Sequence, residues 1–139
     1  PSNPLVSATD SPQQTTGTDS FLMMPELRRV YKFVLIGFMD EAIQELRSVN
    51  TLEAAIVLAR IRISKEEYRG ALEDLQDALD NSTSQAPSYL DALWEVARIY
   101  SLQQRVRNTK RTLDEISDLN PDFKRDEITL WKEALELLD

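Results

Sequence analysis

The chain has 139 residues, 42% apolar and 29% charged, with a net charge of −8 from 24 acids against 16 bases. This is the make-up of a soluble globular domain long enough to bury a core, and its negative balance argues against non-specific attachment to nucleic acid or an anionic membrane. Cysteine and histidine are absent, which excludes disulfides, thiolate zinc sites, thiol catalysis and the commonest general base and metal ligand.

Residues 1–20 are rich in Ser, Thr, Pro and Gln with no base and no aromatic. They cannot bury enough apolar area to offset the entropy of ordering, so they read as a disordered linker or as a trimmed chain boundary. A helical domain is expected over 21–139. From Met24 the apolar period is helical: Leu27, Val30, Tyr31, Val34 and Leu35 share one side, with Pro25 suited to a first turn. Gly37 interrupts, and Asp40 opens a second helix carrying Ala42, Ile43, Leu46 and Val49.

Thr51 is the expected N-cap of a third helix, and Ser64 with Glu67 three residues on reads as a capping box for a fourth, ending near Leu79. A polar loop over 81–87 leads to Ser88 and Asp91 at the start of a fifth helix. The sixth begins near Val106 and stops at Asn120-Pro121, and the seventh is expected over 124–138. Only three glycines, at 17, 37 and 70, punctuate the chain. Seven helices and no strand follow from this pattern.

One spacing recurs. Val30, Ala42, Leu46, Val49; then Ala59, Ala71, Leu75, Ala78; then Ala97, Thr109, Leu113, Ile116 are each separated by twelve, four and three residues. Twelve residues place two small side chains opposite one another across an antiparallel helix pair, where a larger one would hold the helices beyond the roughly 8–10 Å of normal packing. The expected fold is therefore an all-α solenoid of three hairpins closed by a capping helix.

The hairpins resemble tetratricopeptide repeats. Residues 90–121 match best, through Val96, Ala97 and Tyr100, then Thr109, Leu113 and Ile116, and the closing Leu119-Asn120-Pro121. The middle unit shows Leu58, Ala59, Tyr68, Ala71, Leu75 and Ala78, and the first shows Phe33, Gly37, Ala42, Ile43 and Leu46. Departures are Arg29 in place of a large aliphatic residue, Arg62 in place of an aromatic, and Thr83 in place of a closing proline. Repeat starts near 23, 52, 90 and 124 give steps of 29, 38 and 34 residues. The resemblance implies a surface for holding another protein, with the first helix of each hairpin lining the inner face.

On that face Tyr31, Arg60 and Arg98 occupy equivalent places, as do Leu27, Ile56 and Trp94. Arginine beside an aromatic is the chemistry of a binding hot spot. The expected partner-binding set is thus Tyr31, Ile56, Arg60, Trp94 and Arg98, with the arginines receiving carboxylates of a peptide and the aromatics gripping its apolar side chains. The alternative is that the arginines pair with Glu53 or Glu95 and Trp94 is interhelix packing. Changing Arg60 and Arg98 together to alanine is expected to abolish capture and leave melting unchanged.

Five bases and no acid between Val96 and Leu113 form a local basic patch, a dock for an acidic segment or a solvated face. The fourth helix carries six acids, Glu66, Glu67, Glu73, Asp74, Asp77 and Asp80, without the glycine-pinned loop of a calcium site. No catalysis, metal or cofactor is expected, and no nucleic-acid partner, since no aromatic ladder accompanies the bases. No run reaches the roughly twenty apolar residues of a membrane span, so no membrane insertion is expected. The expected role is a protein- or peptide-binding adaptor, with a self-assembling structural subunit, a homo-oligomer, as the alternative. Since position 1 is not Met, the sequence is expected to be an excerpt or a processed product, cytoplasmic or otherwise a soluble part of a larger protein.

Overall fold

The computed structural model describes residue 21 and residues 23–138; the expected linker, 1–20, lies outside the described residues. Among these the fold is all-α, with seven helices and no strand. A single 3-10 turn, Pro25–Leu27, leads into α1 (Arg28–Leu35), followed by α2 (Met39–Arg47), α3 (Leu52–Ser64), α4 (Tyr68–Asp80), α5 (Tyr89–Leu102), α6 (Val106–Leu119) and α7 (Arg125–Glu136). Each helix packs on its neighbours in sequence, and α3 also packs directly on α5.

The six small or β-branched residues at the twelve-residue spacing, Val30, Ala42, Ala59, Ala71, Ala97 and Thr109, are all completely buried. Thr109 carries a hydroxyl into this position without penalty, because it donates to the Arg105 carbonyl at 2.8 Å.

The three hairpin turns are built alike, more closely than their residues suggest. Seven positions beyond Val30, Ala59 and Ala97 stand Gly37, Glu66 and Gln104, and their φ angles are +84°, +60° and +59°. The next amide donates back five residues in every case: Phe38 to the Phe33 carbonyl at 2.8 Å, Glu67 to Arg62 at 2.8 Å, Arg105 to Tyr100 at 2.9 Å. That is one Schellman ending used three times, satisfying carbonyls the helix would otherwise leave unpaired. Glycine adopts this left-handed conformation freely, whereas Glu66 and Gln104 do so against their Cβ atoms. Glu66→Gly and Gln104→Gly are each expected to stabilise the fold by about 0.5–1 kcal/mol, seen as a higher urea midpoint at unchanged slope.

Two clusters form the core. The first gathers Leu27, Val30, Val34, Ala42, Ile43 and Leu46 against Ala54, Val57, Leu58 and Ile61 of α3. The second runs from Leu52, Ile56 and Ala59 on other sides of α3 through α4, α5 and α6 to Ile128 of α7. Helix α3 is therefore apolar nearly all round, which suits a helix enclosed by neighbours.

Capping follows expectation at one point and departs at two. Thr51 accepts from the Ala54 amide at 3.1 Å, as an N-cap should. The Ser64–Glu67 capping box does not form, because Ser64 is the last residue of α3 and its hydroxyl donates to the Ile61 carbonyl at 2.6 Å. Ser88 precedes α5, but its hydroxyl donates to the Glu53 carboxylate at 2.5 Å, so the side chain joins α5 to α3. The last helix is shorter than expected at both ends, and Lys124 takes a left-handed conformation before it.

Candidate functional site

Helices α3 and α5 bring their charged residues together around one carboxylate. Glu95 is 2% exposed, and both its oxygens are engaged: Oε2 by Arg60, whose Nε and Nη2 each lie 3.1 Å away, and Oε1 by Arg98 Nη1 at 2.6 Å. Arg60 reaches across from α3, while Arg98 is one turn further along α5. A buried carboxylate needs such partners, since desolvating it alone costs several kcal/mol. Around this group stand Glu53, bonded to Ser88, and the Phe21 ring, 5.6 Å from the Arg60 guanidinium carbon.

Trp94, one residue before Glu95, is 8% exposed. Its ring centroid lies 4.8 Å from that of Trp131 on α7, tilted by 48°, and the Lys124 ammonium sits 5.3 Å from its centroid.

Four of the five expected site residues, Ile56, Arg60, Trp94 and Arg98, therefore lie on the α3–α5 pair. Tyr31 is half-buried on α1 against the first core cluster. Ile56 is completely buried and Trp94 nearly so, which makes them support behind the surface. Arg60 is 17% and Arg98 38% exposed. Of the two, Arg98 is thus the guanidinium more open to a ligand, and only its Nη1 is engaged with Glu95.

Contrary to the sequence expectation, the Arg60/Arg98 double change is expected to lower the melting temperature, because it would strand Glu95 in the interior without its arginines. Glu95, expected only as one of two alternative pairing partners of the arginines, is the acid that both of them meet. The signal was present: a lone acid within Leu93-Trp94-Glu95-Val96-Ala97, three residues before an arginine.

Asp91 lies one turn before Glu95. Burial pushes its carboxyl above the usual carboxylate range; nearby Arg60 and Lys124 oppose the shift, and Glu95 and Glu53 add to it. The folded chain then holds this proton more tightly than the unfolded one, so the group costs stability once pH rises above the ordinary carboxylate value. Asp91→Asn is expected to raise the melting temperature at pH 7, with the gain vanishing below about pH 4, where both side chains are neutral.

The other charged groups are largely paired among themselves. On α4, Asp74 lies 2.8 Å from Arg62 and Glu73 3.6 Å from Arg69. The basic stretch divides: Arg105 stacks 4.8 Å from the Tyr100 ring centroid, and Lys110 lies 3.9 Å from Glu136. Among the described residues no group of three acids is placed to hold a metal ion, and no helix is long and apolar enough to cross a membrane. No protein-family model matches the chain, and neither a curated protein nor a solved structure matches it.

Proposed function

We propose that the chain is a protein–protein interaction module, a stack of tetratricopeptide-like hairpins that holds a peptide segment of a partner along the α3–α5 face. What supports this reading above all is the clamp on Glu95. Two arginines from consecutive hairpins meet on one buried acid, so the exposed part of Arg98 is presented on a rigid base. A guanidinium held in place loses little further freedom when it receives a carboxylate, which is how preorganisation raises affinity.

Arg98 is the contact residue in this scheme. Glu95 and Arg60 position it, and Ile56 and Trp94 back the surface from within. The partner segment carries an acid for Arg98 and an apolar neighbour for the Tyr31 side of the stack.

Selection from a library of displayed peptides tests this. The wild type is expected to enrich acidic–apolar sequences, and Arg98→Gln to lose them while its melting temperature stays within a few degrees. Enrichment of the same peptides by both proteins would count against the reading.

A further inference from the structure

Helix α7 is apolar on two sides. Ile128, Trp131 and Leu135 tie it to the second core cluster. Leu130, Ala134 and Leu137, at i, i+4 and i+7, form a separate stripe. Leu130 is 64%, Leu137 86% and Leu138 69% exposed. Between this stripe and the start of α6 runs a groove of about 700 Å³, whose other wall includes Arg105, Val106 and Thr109. In the three hairpins the first helix has a second helix packed along it. Among the described residues α7 packs on α6, and its Leu130 side is left open.

The geometry points to a two-fold dimer in which α7 of each copy lies antiparallel in the α6–α7 groove of the other. The occupant this groove suits is an amphipathic helix with an apolar stripe and acidic neighbours, because Arg105 is the charged residue in its lining. Helix α7 is such a helix: Asp126 stands four residues before Leu130 on the stripe and Glu133 flanks it, while Lys124 and Arg125 are engaged with Glu127 and Asp122. The end of α7 and the start of α6 share the groove, so Leu138 lies beside Arg105 and Val106. An antiparallel crossing centred on Ala134 therefore brings Asp126 of one α7 to Arg105 of the other. Alanine at the crossing lets the two helices reach the normal packing distance of about 8–10 Å, with Leu130 of each copy against Leu137 and Leu138 of the other. Like positions meet across the axis, as a two-fold interface requires. The groove adjoins the α3–α5 face through Ser101 and Trp131, but Arg98 does not line it, so Arg98→Gln leaves its lining unchanged.

Sedimentation equilibrium and a designed cross-link test the dimer together. The wild type is expected to sediment as a dimer at micromolar concentration, and Leu130→Glu as a monomer with unchanged helicity. The chain has no native cysteine. Under mild oxidation Ala134→Cys is therefore expected to run as a covalent dimer, since alanines at such a crossing approach the roughly 4.4–6.8 Å Cα separation of a disulfide. Glu73→Cys, on the exposed side of α4, is expected to stay uncross-linked. If Leu130→Glu does not fold, the two cysteine variants decide the matter alone. A wild type that stays monomeric at every concentration overturns the proposal, even if its groove takes up some other helix. So does a dimer indifferent to Leu130→Glu, or equal cross-linking by both cysteines.

Discussion

Replacing Glu95 by alanine is expected to lower stability by about 2–4 kcal/mol and the melting temperature by roughly 8–15 °C. The loss arises from the partners left behind. Arg60 is only 17% exposed, and with Glu95 gone both of its nitrogens at 3.1 Å lose their acceptor in the seam between α3 and α5. Arg98, 38% exposed, is rehydrated more easily and contributes less. Changing the pair together, Glu95→Leu with Arg60→Met, is expected to recover most of the stability, since a well-packed apolar pair often replaces a buried ion pair at little cost. Thermal melts of the three variants check both statements. An alanine variant melting with the wild type would show that Glu95 is not buried between the arginines.

Ala97→Phe is expected to destabilise the third hairpin by about 3 kcal/mol or more. Ala97 is completely buried, as is Thr109, twelve residues on in the α6 helix that packs against α5. The added ring has no room unless the two helices separate, and separating them also loosens Leu113 and Ile116, both fully buried on α6. Glu73→Phe, on the exposed side of α4, serves as the control and is expected to change stability by no more than about 0.5 kcal/mol. Chemical denaturation separates the two. Similar midpoints for both variants would mean that Ala97 does not lie at a close helix contact.

The hairpins were legible in the sequence because a helix contact tolerates few side chains. Small residues twelve positions apart therefore left a visible mark, and the six positions involved proved to be fully buried. Asn120-Pro121 marked the end of α6 for a similar reason, since proline restricts the residue before it. The shared turn left no such mark. Glycine reveals a left-handed residue at 37, but Glu66 and Gln104 adopt the same conformation under the pull of the surrounding hydrogen bonds.

The candidate site was half legible. Arg60 and Arg98 could be placed on one face from their spacing, but spacing does not say which acid meets them. Both pair with Glu95, while Glu53 is taken by Ser88. The burial of Ile56 follows from the apolar run on all sides of α3, and that of Trp94 depends on Trp131, a contact between helices remote in sequence. Two capping motifs did not form because their hydroxyls donate elsewhere, Ser64 back into its own helix and Ser88 across to Glu53 on α3.

Amide hydrogen exchange at Phe38, Glu67 and Arg105, followed by NMR, tests most directly whether one hairpin is built three times. Each of these amides donates to a carbonyl five residues earlier, so all three should exchange far more slowly than first-turn amides such as those of Arg69 and Arg107, which lack an acceptor within their own helices. Protection at Phe38 alone, with Glu67 and Arg105 exchanging at the rate of an open chain, would contradict the equivalence of the three hairpins.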